Sequence, residues 1–176
     1  MRMMRIHELR LLDRFVGSAL CGVLTLAAAF GRRFRQLPRE KPEPHAVKTI
    51  LVIKFWGMGS IVLARQFCSG LRRQFPHARL VAVTLRQHRP VFEMTGLFDE
   101  IADIGLGSFF PVIAEASRLL LRLRRRHFDL SFDLEFTSRL CAVFGFLVHA
   151  RERVGFTYEG CWRGGLFTRT VRFLED

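Results

Sequence analysis

Short apolar runs alternate with helical stripes along the chain from residue 48 onward. The runs are rich in Val, Ile, Leu and Phe and predict buried strands. These strands are predicted at 49–55, 79–85, 100–104, 128–134 and 151–156. Apolar positions three to four residues apart predict helices between them, at 60–75, 90–95, 109–127 and 136–148. Alternating strands and helices indicate an α/β fold with right-handed crossovers and a doubly wound, mostly parallel sheet.

The predicted helix at 109–127 has two distinct faces. Its buried face is expected to hold the apolar residues Val112, Ile113, Ala116, Leu119, Leu120 and Leu123. Its outer face is expected to hold the arginines Arg118, Arg122, Arg125 and Arg126. Such a cationic face suits an anionic surface, such as phospholipid headgroups.

The first 36 residues differ from the rest. Residues 15–30 carry no charge, and arginines flank them on both sides. A membrane-spanning helix needs ~20 apolar residues, and the lower limit is about 17. The uncharged run at residues 15–30 is just shorter than this limit. We therefore expect residues 1–36 to form a basic, membrane-associating helix on the cytoplasmic face of the inner membrane. A single-span anchor and a helix packed on the domain itself are the alternatives.

Residues 37–48 contain Pro38, Pro42 and Pro44, which cannot continue a helix. They are predicted to form a linker, so the α/β domain spans 49–176.

The composition adds a strong cationic excess. The 176 residues include 28 Lys and Arg against 16 Asp and Glu, a formal net charge of +12. All but Lys41, Lys48 and Lys54 of these basic residues are arginines. Arginine binds phosphate and carboxylate in a bidentate manner, so an anionic partner is expected, although a coding preference for arginine explains the count equally well. No basic–aromatic motif of a nucleic-acid-binding module is present, so nucleic acid is not an expected partner.

The four cysteines are isolated in the sequence, without a C-x-x-C pair. This pattern predicts buried free thiols in a reducing compartment, with neither a metal site nor a disulfide framework. The four are Cys21, Cys68, Cys141 and Cys161.

Three predicted strand ends carry polar groups, and ligands of open parallel sheets bind beyond the carboxyl ends of strands. The first is "WGMGS", residues 56–60, and the second is "DLEFTSR", residues 133–139. The third is "GFTYEGCWRGG", residues 155–165. These segments are therefore the predicted ligand-binding edge of the sheet.

The first of these loops looks at first like a phosphate-binding turn. Its two glycines allow close backbone approach, and the helix after it offers free N–H groups. A dinucleotide fingerprint needs a third glycine where Val62 stands, and a P-loop needs a Gly-Lys-Ser/Thr that is absent. Both nucleotide motifs are therefore excluded. Ser60 on its own is most simply interpreted as a helix N-cap.

An ordered set of segments carries a family resemblance. "ILVIKFWGMGSIVLA", "FPHARLVAVT", "GLFDEIADI", "HFDLSFDLEFTSRL" and "RVGFTYEGCWRGGLFTRTV" follow one another over residues 48–172. This set resembles glycosyltransferase family 9, the heptosyltransferases of lipopolysaccharide core assembly. The resemblance implies a GT-B fold of two Rossmann-like halves. The N-terminal half takes the acceptor and the C-terminal half takes a nucleotide sugar, typically ADP-heptose, with no metal and no cofactor.

The resemblance also implies roles for individual residues. Ser60 stands where many family members have a general-base aspartate, and a serine hydroxyl cannot accept that proton unaided. Glu135 is the preferred substitute base, although it can equally be a cap of the next helix. Arg139 stands where the family often has a lysine that contacts anionic groups of the acceptor. The remaining predicted acceptor contacts are Trp56, Gly57, Met58, Gly59, Asp133 and Tyr158.

The chain ends at Asp176, where the second half of the family fold would begin. The resemblance therefore implies an acceptor-side half that binds an anionic glycolipid and has little transferase activity without a separately encoded C-terminal half. The alternative is a non-catalytic, membrane-attached Rossmann-like module that binds an anionic ligand or partner.

Overall fold

The computed structural model describes residues 13–33, 44–136, 138–158 and 162–172. Most of the predicted linker, residues 37–48, lies outside these residues, and so does Cys161. A π-helical turn, Asp13–Gly17, leads into α1, Ser18–Arg33. The strands are β1 (Thr49–Ile53), β2 (Arg79–Leu85), β3 (Glu100–Ile104), β4 (Leu130–Asp133), β5 (Glu152–Thr157) and β6 (Arg169–Arg172). The other α-helices are α2 (Met58–Gln74), α3 (Arg89–Thr95), α4 (Phe109–Arg124) and α5 (Arg139–Val148). Short 3-10 turns lie at Pro44–Ala46, Arg86–His88 and Trp162–Leu166.

The six strands form one parallel sheet in the order β3-β2-β1-β4-β5-β6. This is the order of a doubly wound Rossmann sheet, which confirms the predicted fold class. Strand β6 was not predicted. All four of its residues are exposed, so it lacks the apolar run that marks the other strands.

The core has two layers because successive residues of β1 point to opposite faces of the sheet. Ile50 and Val52 pack with Cys68 and Leu71 of α2. Leu51 and Ile53 pack in the opposite layer, against helices α4 and α5. The continuous apolar run at 50–53 is therefore explained by helices that cover both faces of the sheet.

Helix α4 follows the predicted pattern with one exception. Leu119 and Leu123 are buried, and the four predicted outer arginines are exposed. Ile113 was predicted to be buried, and this is wrong, because its side chain is 45% exposed. It lies at the mouth of a cavity between α4 and α1, where the described residues leave it partly uncovered.

Helix α1 packs on the domain, which was one of the alternatives for the N-terminal segment. Cys21 is fully buried against Ala142 and Val143 of α5 and against Leu166. The other side of the segment exposes large apolar residues, namely Phe15, Val16, Leu20, Val23 and Leu26. Among the helices that the structure describes, none is long and apolar enough to cross a membrane.

Three of the four cysteines lie in the described residues, and all three are buried free thiols, as predicted. Burial raises the pKa of the Cys68 thiol to about 11, so the thiol is inert near neutral pH.

Candidate functional site

The predicted ligand-binding edge lies where the strand order changes direction, between β1 and β4. The chain leaves β1 through residues 54–57 and leaves β4 through residues 134–136, so these two loops lie side by side. A crevice at this position is the usual ligand site of open α/β sheets. Tyr158 follows β5, one strand further along the same edge.

Glu135 ties the two loops together. Its Oε1 atom accepts hydrogen bonds from the backbone N–H groups of Phe55, at 2.8 Å, and Trp56, at 2.7 Å. The same oxygen lies 3.2 Å from Nζ of Lys54, and both side chains are buried. Lys54 also donates to the Leu134 carbonyl oxygen at 3.2 Å. The described contacts of the Glu135 carboxylate all involve Oε1.

Glu135 does not cap the next helix, which was its alternative role. Ser138 is the N-cap of α5, and its hydroxyl oxygen accepts the Cys141 N–H at 3.3 Å. The carboxylate of Glu135 instead satisfies the two N–H groups that follow β1. These groups lie some 80 residues earlier in the chain.

The loop after β1 is also held from its other side. Nδ1 of His88, in the turn after β2, lies 2.9 Å from the Phe55 carbonyl oxygen. Because that oxygen can only accept, Nδ1 carries the proton and donates it. Glu135 and His88 therefore fix the backbone of this loop at successive peptide groups, so the loop after β1 is preformed.

Asp133, the last residue of β4, points inward. Its Oδ2 pairs with Nη2 of Arg163 at 2.6 Å, and its Oδ1 accepts the Glu135 N–H at 2.9 Å. Burial raises the pKa of Asp133 to about 6, even though the Arg163 charge opposes that shift. Asp133 is only 3% exposed, so it lies beneath the surface of the site and does not line it.

Arg163 is a site residue that sequence reasoning missed. It is fully buried, and its Nε and Nη1 groups have no hydrogen-bond partner among the described residues. Its guanidinium lies 5.3 Å from the Phe167 ring centroid. The only local signal was its place in the third polar segment, before two glycines. Together with Lys54, it balances the two buried carboxylates of Asp133 and Glu135.

The glycine loop is a tight turn that starts α2. Gly57 is the N-cap, with a φ of 78°, and a Cβ at this position would lie 2.8 Å from the Ser60 hydroxyl oxygen. Gly57 is therefore required for the turn, whereas a Cβ at Gly59 would meet open space among the described residues. Met58 is the first residue of α2.

Ser60 is not an N-cap, because α2 begins two residues before it. Its hydroxyl instead donates to the carbonyl oxygens of Gly57, at 2.9 Å, and Trp56, at 3.2 Å. Ser60 and Lys54 line the same small cavity of about 220 Å³, beside Phe136 and Phe156. The serine therefore lies beside the crevice with its proton directed at backbone oxygens.

The N-terminus of α5 is occupied by a carboxylate of the chain itself. Oδ1 of Asp13 accepts from the Ser138 hydroxyl, at 3.0 Å, and from the Leu140 N–H, at 2.6 Å. Oδ2 accepts from the Arg139 N–H at 3.1 Å. A helix N-terminus favours an anion, so this contact anchors the N-terminal segment. Only the half-buried side chain of Arg139 is left to meet a ligand.

Trp56 faces away from the Ser60 cavity. It lines a second, larger cavity of about 360 Å³ that lies between α1, α4 and α5, above the ends of β1, β2 and β3. We call this space the interhelical cavity. The predicted contacts are thus divided: Ser60 borders one cavity, Trp56 borders the other, and Glu135 holds the loop between them.

The described geometry thus shows Glu135 as a buried carboxylate that holds the loop after β1, and Arg139 as a half-buried arginine at the start of α5. Within the described residues, no three His, Cys, Asp or Glu side chains are grouped so that they could hold a metal ion.

Three solved structures that superpose on this chain are a family 9 glycosyl transferase and two structures of one heptosyltransferase. The glycosyl transferase family 9 protein from Veillonella parvula DSM 2008 superposes over 77% of this chain, with a TM-score of 0.65 and 18% sequence identity. E. coli heptosyltransferase WaaC superposes over 72% of it, with a TM-score of 0.59 and 11% identity for the structure with ADP. The structure of that enzyme with ADP-2-deoxy-2-fluoro heptose gives 0.60 and 14% over the same share.

These likenesses confirm the expected resemblance at the level of the fold. The chain spans 38%, 41% and 43% of the lengths of these three structures. No family model and no curated protein matches the sequence.

Proposed function

We propose that this chain is the acceptor-side domain of a heptosyltransferase-type glycosyltransferase. The enzyme transfers a sugar from an ADP-heptose-like donor to a lipopolysaccharide-type or other anionic glycolipid. The observation that carries the proposal is the crevice between β1 and β4 in a sheet whose fold matches glycosyltransferases. The loop after β1 is held in place by Glu135, and Glu135 and Arg139 are the proposed acceptor-side groups.

The proposed reaction is a single displacement with inversion. The acceptor hydroxyl attacks the anomeric carbon, the bond from that carbon to the donor diphosphate breaks, and the diphosphate leaves with the bonding electrons. Oε2 of Glu135 accepts the hydroxyl proton, while Oε1 stays bound to the loop after β1. The Arg139 guanidinium binds a phosphate or carboxylate of the acceptor.

The leaving diphosphate needs donors that the crevice residues do not supply. We therefore expect the 176 residues alone to bind the acceptor and to transfer little or no sugar, since stabilisation of the transition state needs both sides of the reacting bond. Residues 1–36 are proposed to hold the domain on the cytoplasmic face of the inner membrane, where their arginines meet anionic headgroups.

One observation favours the non-catalytic alternative. Glu135 is 4% exposed and bound by three donors, and the Ser60 hydroxyl is bound to backbone oxygens. A module of this kind would bind an anionic glycolipid without accepting a proton from it. Transfer by the chain in the presence of a donor-binding half distinguishes the two functions.

The test is binding of a heptose-deficient lipopolysaccharide to the chain, measured for Arg139→Ala and for Arg73→Ala as matched control. Arg73 is an exposed arginine on α2. We expect Arg139→Ala to weaken binding and Arg73→Ala to leave it unchanged. Equal affinities of the two variants would refute the acceptor-side assignment.

A second test measures sugar transfer with a co-expressed C-terminal half. Transfer should be lost in Glu135→Gln. If neither the unsubstituted chain nor the variant transfers sugar, the non-catalytic function is the correct one.

A further inference from the structure

The interhelical cavity has a lining suited to hydrocarbon. Among the described residues, 19 line the cavity, and only Asp13, Ser117 and Ser138 of these are polar. Asp13 and Ser138 are hydrogen-bonded to each other, and Ser117 lies at the exposed edge. A polar ligand inside would lose its hydrogen bonds to water without finding new ones. A volume of about 360 Å³ falls in the range of small-molecule sites.

The cavity opens at the surface between α1 and α4. Four apolar residues both line it and are exposed: Val16 (43%), Leu20 (40%), Phe109 (38%) and Ile113 (45%). Beside this mouth, Phe15 is 70% exposed and Phe110 is 80% exposed. Surface patch and cavity are therefore one continuous apolar feature. Apolar patches of this kind mark interaction sites on proteins.

Charge indicates what covers this patch. The chain carries a formal net charge of +12. The helix that forms one side of the mouth also exposes Arg118 and Arg122 to solvent. An apolar mouth on a strongly cationic protein complements an anionic bilayer, with hydrocarbon at the mouth and anionic headgroups around it.

The lining also distinguishes a lipid from a protein partner. A peptide segment that enters the cavity would bring backbone N–H and C=O groups, and almost no lining atom could pair with them. An acyl chain carries no polar group along its length. We propose that the interhelical cavity binds one acyl chain of an anionic membrane lipid and thereby seats the domain on the bilayer. This site adds to the membrane association proposed for residues 1–36 and does not depend on the proposed sugar transfer.

The intrinsic fluorescence of Trp56 can report on what enters the cavity. Trp56 lines the cavity, and the chain has only two tryptophans. In a Trp162→Phe background, Trp56 fluorescence can be followed with vesicles of phosphatidylglycerol whose acyl chains carry bromine, a contact quencher. We expect strong quenching with brominated vesicles and none with unbrominated vesicles of the same headgroup.

A cavity-filling variant makes the test specific. Ala116 lines the cavity on α4, whereas Ala114, on the same helix, is exposed and does not line it. Ala116→Phe should abolish the quenching of Trp56, and Ala114→Phe should preserve it. Ala116→Leu, a milder change, should reduce it, which keeps the test decisive if the larger side chain prevents folding.

Three outcomes would overturn the proposal. The first is quenching that is equal in Ala116→Phe and Ala114→Phe, and the second is sedimentation with vesicles without quenching of Trp56, which indicates surface docking or a protein partner at the mouth. The third is equal quenching by brominated phosphatidylcholine, which removes the anionic preference. None of these results bears on acceptor binding by Arg139, so the two proposals fail separately.

Discussion

The contact of Glu135 with Lys54 leads to a prediction in which two substitutions are less harmful than one. Both residues are buried, at 4% and 3% exposure, and Oε1 lies 3.2 Å from Nζ. In Glu135→Gln the amide oxygen can still accept from Phe55 and Trp56. The Lys54 ammonium, however, is left without its counter-charge in the interior.

Removal of one partner of a buried ion pair typically costs about 3–5 kcal/mol. In Glu135→Gln the amide oxygen still accepts the two backbone hydrogen bonds, and Lys54 still donates to the Leu134 carbonyl oxygen. We therefore expect the free energy of unfolding to fall by about 3 kcal/mol, near the lower end of this range. Total stabilities are about 5–15 kcal/mol, so this is a large fraction. In the double variant Lys54→Met, Glu135→Gln the unpaired charge is gone, and about 2 kcal/mol of the loss should be recovered.

The assay is urea unfolding followed by far-UV circular dichroism on the native chain, both single variants and the double variant. The midpoints should move while the slopes stay equal. The reasoning is refuted if Glu135→Gln costs less than about 1 kcal/mol, or if the losses of the two single variants simply add in the double variant. The double variant also separates stability from chemistry. Its fold is restored, yet transfer with a donor-binding half should stay absent if Oε2 accepts the proton.

Two further predictions concern the buried end of β4 and its neighbour β5. Burial, opposed by Arg163, raises the folded-state pKa of Asp133 from 3.8 to about 6, so its contribution to stability is complete below pH 3.8 and is lost as the pH rises through about 6. Relative to Asp133→Asn, the free energy of unfolding of the native chain should therefore fall between about pH 4 and about pH 7, and equal pH slopes for the two proteins would contradict this. A Cβ added at Gly155 would overlap the buried Phe167 ring, so Gly155→Ala should destabilise by about 1–3 kcal/mol in the same unfolding assay. Phe167→Leu should reduce that penalty, and a harmless Gly155→Ala would show that the ring can move aside.

The order of elements was predictable because it depends on local periodicity. The run 50–53 is apolar at every position, and a strand with helices over both faces requires this. The helix at 60–75 was predicted from its apolar spacing, and Ile61, Cys68 and Leu71 of α2 are indeed buried. Strand β6 was missed because none of its residues is buried, so no apolar run marks it in the sequence.

The candidate site was predictable only in outline. That residues 54–57 and 133–135 share one edge follows from parallel strand order and from the family resemblance. The tasks of the side chains did not follow. Of the two roles expected for Glu135, the helix cap is excluded because Ser138 is the N-cap, and the contact with the backbone of the loop after β1 was not foreseen. Ser60 was expected at the N-cap, and it lies within the first turn of α2.

By itself, the sequence determined the α/β class, the succession of strands and helices, the arginine face of α4 and the buried thiols. The first three depend on which residues recur at a spacing of two, three or four positions, and the thiols were predicted because no two cysteines form a C-x-x-C pair. Only the tertiary structure decided which charges meet. Arg163 pairs with Asp133 across 30 residues, and Asp13 holds the start of α5 across 125 residues or more. It also decided that α1 and α4 leave an apolar cavity between them. Such pairings depend on how whole elements pack, and no periodicity within one element records its neighbour.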